Sequence, residues 1–265
     1  MADAWSALTV FVLLCLSASL GWYVRPRLPE THRARETVEV MQLIIGMLVT
    51  FAALVLGLLT ASVKAGYDAA SHDRQEYALQ LAQLDQCLRN YGPETDPARE
   101  DLRSYTAAVI ASTWPYERRP VGVHYPDTSH MPLVGAVPVL AALMNRAGLS
   151  IEELQPSDGA HRRIQRDCLA RFHDVLTARA AVIEDVRGSI SAPFYRILVA
   201  WLMVIFAAFG LAAPRNMLLL LAIVLCAISL SSAVFVIADL SRPYGGLFVI
   251  PSTDMRAALA SMTRP

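Results

Sequence analysis

Charge is scarce in this sequence. Only 17% of its 265 residues are Asp, Glu, Lys or Arg, against about 25% in an ordinary soluble domain. The two signs balance at 23 each, so there is no basic excess to meet a phosphate backbone, which excludes nucleic acid as a partner. No Gly-rich phosphate loop or dinucleotide fingerprint is present. Nor is there a Ser-His-Asp order, a nucleophile elbow or a pair of carboxylates in an apolar setting, so catalysis is not expected and no cofactor is expected. His72 and Glu76 have i, i+4 spacing, and His124 and His130 share one loop. The four ligands of a structural zinc site are nevertheless missing, and no metal is expected. Internal repeats and low-complexity tracts are absent too.

What the sequence does have is apolar length. Hydrophobic residues make up 55% of it and the mean hydropathy is +0.40. Crossing roughly 30 Å of hydrocarbon takes about 20 mostly apolar residues, and four stretches qualify: Trp5–Val24, Val40–Val63, Phe194–Ala212 and Asn216–Ala238. Trp5, Trp22 and Tyr23 frame the first as an interfacial aromatic belt would. Arg196 is the single charge inside the third, one turn from its start, where it can snorkel. The first stretch could instead be a cleaved signal. Its leading Met-Ala-Asp lacks a positive side chain and its apolar run is long, so it is read as a retained span. The expected fold is all-α and integral to the membrane, with four transmembrane helices and a helical extramembrane domain inserted between the second and third.

Four parts follow: 1–63 with two spans, 64–192 as the helical domain, 193–238 with two more spans, and 239–265 as a C-terminal tail. Pro is absent from Lys64 to Tyr91, and Tyr77, Leu81, Leu84, Leu88 and Tyr91 form an apolar stripe at helical spacing. The second span should therefore continue beyond the membrane as one long helix, stopped at Gly92-Pro93. Asp96-Pro97 reads as an N-cap followed by Pro in the first turn, predicting a helix to Thr113 with Leu102, Tyr105 and Val109 inward. Residues 115–132 contain four prolines and read as an ordered loop. A short helix is expected over Pro138–Ala147 and a long one over Ser157–Gly188.

Orientation and cysteine usage are linked. Arg25, Arg27, Arg33 and Arg35 crowd the loop after the first span, and Arg215 sits in the turn after the third. The positive-inside rule puts these short loops in the cytoplasm, and the helical domain outside a bacterial inner membrane. Lys64, Arg74, Arg187, Arg196, Arg242 and Arg256 weigh the other way. Cys87 and Cys168 fall on the two long helices of the domain. They are either a disulfide, as an oxidising compartment would allow, or two small core residues.

Two further features invite a functional reading. Along the second span, Gly46, Thr50, Ala53, Gly57, Thr60 and Lys64 recur at alternating steps of four and three. Such a stripe either packs helices closely or lines a polar pathway, in which the threonines would solvate an ion and Lys64 would favour anions. Phe51, Leu54 and Leu58 occupy the adjoining face as candidates for an apolar constriction, or as packing residues. After the fourth span, Asp239, Arg242, Pro243 and Gly245 belong to the run ADLSRPYGG. There Pro243 ends the helix, and Gly245-Gly246 would permit a reversal with positive φ. Asp239 and Arg242 are candidates for pairing with the stalk helices, for example with Arg187 or Glu184, and so coupling the tail to the pore. The bland alternative is an ordered loop at the interface.

The stretches AWLMVIFAAFGLAAPRN (200–216), ADLSRPYGGLFVIPSTDMRAAL (238–259) and LDQCLRNYGPETDPAREDLRSYTAAVIASTWP (84–115) resemble the bestrophin-like domain family. Its members are bacterial four-span proteins distantly similar to the bestrophins, which are pentameric anion channels. The stretch LGLLTASVKAGYDAASHDR (56–74) is similar to the exit of a bestrophin pore helix, with Tyr67, Asp68 and Arg74 at the matching positions. The resemblance implies a homo-oligomer in a lipid bilayer, with a small anion as the species passed. The sequence departs from bestrophins in offering only Phe51 as an aromatic in the second span, and in lacking an acidic calcium clasp. Bestrophins also keep the insert in the cytosol, against the arginine distribution here. The expected function is a bestrophin-like membrane channel whose second span lines the path. The alternative is a non-conducting scaffold or envelope sensor that binds a partner through its helical domain.

Overall fold

Every regular element among the residues described by the computed structural model (2–27, 35–185, 192–213 and 216–264) is helical. In chain order they are α1 (Ala2–Val24), α2 (Arg35–Tyr91), α3 (Asp96–Thr113), α4 (Pro138–Glu152), α5 (Gly159–Asp185), α6 (Ala192–Ala212), α7 (Met217–Leu240) and α8 (Thr253–Thr263). Four of them contain stretches long and apolar enough to cross a membrane: Ala7–Arg27, Glu39–Tyr91, Phe194–Ala212 and Met217–Leu240. Helices suit that solvent because each satisfies its own backbone hydrogen bonds where no water is available. The chain divides into two units, Met1–Gly66 with Gly188–Ser241, and Tyr67–Arg187 with Arg242–Pro265.

The first unit holds α1, α6, α7 and the first part of α2. Val10, Leu14 and Ala18 of α1 meet Leu202, Ile205 and Phe206 of α6 in its core. The two helices approach closely because glycine stands at both contacts. A Cβ on Gly210 would collide with the Ala18 carbonyl, and one on Gly21 with the Ala207 carbonyl. Between these contacts the Ser17 hydroxyl donates to the Met203 carbonyl at 2.5 Å, while Arg25 donates to the Ala213 carbonyl. Asn216 caps α7, its side chain accepting from Leu218 N at 3.1 Å.

The second unit packs the far half of α2 with α3, α4, α5 and α8. The stripe Tyr77, Leu81, Leu84, Leu88 and Tyr91 is buried, as are Leu102, Tyr105 and Val109 of α3. At the end of α2, Gly92 takes φ +133°, a value open to glycine, and the Thr95 hydroxyl donates to the Leu88 carbonyl at 2.6 Å. Asp96 is the first residue of α3 rather than its cap, which is Thr95. Buried Asp85 accepts from Arg89 at 3.1 Å and Arg99 at 3.0 Å, pinning α2 to α3.

Three expectations need adjustment. The short helix does not stop at Ala147 but runs to Glu152, because Gly148 lies against the Phe172 ring of α5, leaving no room for a side chain. The long fifth helix begins at Gly159, with the Asp158 carboxylate accepting from the Ala160 and His161 amides at 2.7 and 2.8 Å. Its expected end at Gly188 lies outside the described residues. The region after α7 is not a separate tail: residues 253–263 form α8, whose Met255, Ala258, Leu259 and Met262 are buried in the second unit's core.

Cys87 of α2 and Cys168 of α5 form a disulfide, with Cα atoms 5.6 Å apart and 81 residues between them in sequence. Cys15 and Cys226, in the first unit, are free thiols. Cross-linking two long helices over a loop of that length stabilises by about 2–4 kcal/mol. Cys87→Ser is therefore expected to lower the melting temperature. In unreduced protein, a thiol reagent followed by mass spectrometry should label only Cys15 and Cys226. Gly210→Val should overpack the α1–α6 contact at a cost of about 1–3 kcal/mol, read as a lower melting temperature in detergent.

Candidate functional site

Residues 40–66 of α2 give little of themselves to their own chain. Ile45, Ala52 and Val63 are buried there, a narrow inward line on one side of the helix. The most apolar stretch of α2 is 11% buried, against 22%, 33% and 22% for the other three spanning candidates. Gly46, Thr50, Ala53, Gly57, Thr60 and Lys64 are all exposed, and so are Phe51, Leu54 and Leu58. A Cβ on Gly46 or Gly57 would meet nothing within 4 Å. The close-packed small-residue seam of this unit is therefore the one at Gly21 and Gly210, outside the stripe that the sequence brings to notice. Gly46 edges a groove with Phe209, Ala212 and Ile223, and Leu58 edges another with Phe194, Ile197 and Trp201.

The two threonines of the stripe are turned in a particular way. The Thr50 hydroxyl donates to the Gly46 carbonyl at 2.9 Å and Thr60 to the Leu56 carbonyl at 2.7 Å. With their protons committed to the helix, they present oxygen lone pairs outward. A positive charge on this face comes from Lys64, one turn beyond Thr60.

The second unit contains a cluster whose members lie far apart in the sequence. Arg74 of α2 is 1% exposed. Its guanidinium carbon lies 5.1 Å from the ring centre of Trp114 and 4.7 Å from that of Tyr244, and its Nε donates to the Tyr244 hydroxyl at 3.3 Å. Cation–π contacts replace part of the hydration that burial removes. The Trp114 indole nitrogen donates to the Ile250 carbonyl at 2.7 Å, tying the end of α3 to the segment before α8. Nearby, the Tyr77 and Tyr105 hydroxyls share a hydrogen bond of 2.5 Å. Burial raises the Asp185 carboxyl above its usual range, helped by the Asp73 carboxylate hydrogen-bonded to it and opposed by Arg74. Burial likewise raises the Tyr244 hydroxyl, again against the pull of Arg74.

The residues singled out after the fourth span fare differently. Asp239 is fully buried at the end of α7, in the first unit; Pro243 is buried, and Arg242 and Gly245 are exposed. Arg187 lies outside the described residues. The reversal is a turn in which Gly245 N donates to the Arg242 carbonyl at 3.1 Å, and Ile250 N donates to the Pro243 carbonyl at 2.9 Å. Positive φ is confined to Gly92, Gly122 and Gly135 among the described residues, so the expected role of Gly245-Gly246 does not hold. The side chain that this segment sends into the core is Tyr244, the neighbour of the residues named from sequence. Of the bestrophin-like exit pattern, Asp68 is exposed, Tyr67 packs against the second unit's core, and Arg74 is its buried cation.

Comparison with solved structures finds the same fold at low identity. Two mutant forms of a bacterial bestrophin homologue from Klebsiella pneumoniae superpose with TM-scores of 0.63 and 0.62 at 14% and 16% identity, each pairing 97% of this chain with 99% of the other. A further structure, described only as a membrane protein, gives 0.62 at 14% identity over 97% of both chains. No curated protein sequence matches significantly. The sequence pattern of the bestrophin-like domain matches residues 11–255, nearly the whole length. With its all-helical fold and its four apolar helices, the chain belongs to the bestrophin-like domain family.

Proposed function

We propose that this chain is one subunit of a homo-oligomeric, passive ion channel in a bacterial inner membrane, passing small anions along a path lined by α2. The observation that carries the reading is the exposure of the whole stripe from Gly46 to Lys64 on the least covered apolar helix of the chain. A helix sealed within its own subunit would have buried that stripe against α6 or α7. Left open, it suits a ring in which one face of α2 meets neighbouring copies and another meets the axis. The bestrophin family, whose members are anion channels, supplies the precedent.

Selectivity for anions rests in this reading on Lys64. The threonine hydroxyls donate backward into the helix, so their outward lone pairs would not attract an anion until they rotate. Phe51, Leu54 and Leu58 serve as the apolar constriction. The second unit is placed outside the cytoplasm, a choice supported by the Cys87–Cys168 disulfide and by the arginines after the first span. A second reading, a partner-binding scaffold, draws on the Pro-rich loop after α3, where Tyr116 and Val121 are almost fully exposed.

Purified protein in liposomes is expected to pass chloride, and Thr60→Trp to cut that flux at least tenfold. Equal leakage from wild-type and empty vesicles, across several pH values and voltages, would remove the channel reading. Lys64→Glu should shift the reversal potential toward cation preference, because the sign of charge at a pore mouth sets which ion concentrates there. An alkaline phosphatase reporter fused at the C-terminus should be active; inactivity would put the second unit in the cytosol.

A further inference from the structure

Beside the buried Arg74 lies a cavity of about 30 Å³, wholly within the second unit. That is room for one or two waters or a single halide ion. Arg74 lines it, and its Nη2 is buried without a hydrogen-bond partner. Arg179 of α5, half-buried, lines the same cavity, and the Tyr77 side chain forms another wall. Most of the remaining surface is apolar, with Val109, Leu140 and Val182 contributing. No carboxylate is among the described lining residues, and none of the described carboxylates forms an ion pair with Arg74.

Arg74 acts on the Asp185 carboxyl and Arg179 on Tyr105, both outside the cavity lining, yet Arg74 Nη2 still lacks a partner. A buried charge is costly unless it is paired, and the aromatic faces of Trp114 and Tyr244 compensate only in part. A water molecule could accept from Nη2 and donate to the Ser112 or Thr113 hydroxyl oxygens, which also line the cavity, but it brings no charge. A cation would be repelled. We propose that this cavity is a binding site for one small monovalent anion of chloride size, held by Arg74 and Arg179 between α2, α3 and α5. The anion joins these helices where Tyr244 brings in the segment leading to α8, so its occupancy stabilises the second unit. The site lies off the proposed path along α2, and the inference does not depend on the channel reading.

The test uses the full chain in detergent, with sodium chloride or sodium bromide replacing sodium gluconate at constant ionic strength. A ligand that binds only the folded state raises its stability by RT ln(1 + c/Kd) at free ligand concentration c. A rise in melting temperature that grows with the logarithm of halide concentration is therefore expected for either halide, accompanied by a bromide anomalous peak in the cavity of crystals grown in bromide. Arg179→Gln should need at least tenfold more halide for the same rise while melting near wild type in gluconate. Thr60→Trp should keep the full halide response whatever it does to flux, which separates this site from the pore. Superimposable halide and gluconate curves for wild type would overturn the proposal. So would an undiminished response in Arg179→Gln, or water alone in the cavity of bromide-grown crystals.

Discussion

Hydrocarbon offers a peptide group nothing to bond with, and a helix entering it must carry its hydrogen-bond ladder without a break. In this protein that constraint governs more than the membrane. The 57-residue α2 keeps the ladder unbroken from Arg35 to Tyr91 and so belongs to both units. Its first half is apolar on nearly every side and lends its own chain only a narrow line of contacts. Its second half turns amphipathic and is tied to α3, α5 and α8, with α4 held on α3 and α5. The ion pairs of Asp85, the disulfide at Cys87 and the aromatic enclosure of Arg74 are all fixed to that one rod.

Much of this was written locally. The continuity of α2 follows from the absence of proline over its length, and its inward face from the spacing of Tyr77, Leu81, Leu84, Leu88 and Tyr91. The limits of α3 follow from Asp96-Pro97 and Trp114-Pro115, give or take the residue that serves as cap. Even α8 had a signal, since Met255, Ala258, Leu259 and Met262 repeat at helical steps; it was obscured by the turn and proline that precede it. The end of α4 was misread because Ala147-Gly148 looks like a terminus. Only the Phe172 ring, brought from another helix, explains a glycine in mid-helix there.

The Arg74 cluster marks where sequence reasoning runs out. Tyr244 is 170 residues away from Arg74, and no periodicity links the two. Arg74 stands three residues before Tyr77, on the face of the apolar stripe, but what encloses its charge becomes visible only when three distant segments converge. The stripe on α2 presents the opposite case. Its regularity is plain in the sequence, yet regularity alone could not say whether the stripe faced its own subunit, and the answer required knowing that α1 and α6 use a different glycine pair for their close contact.

The discontinuity of the second unit has a consequence for biosynthesis. Its core is built from residues on either side of α6 and α7, and α8 is translated after both of those apolar helices. Until then the buried face of α3 that receives Met262 is uncovered, so this half of the molecule cannot finish folding before α8 is made. A chain cut before α8 would leave the apolar surface that Met255, Ala258, Leu259 and Met262 cover open to solvent.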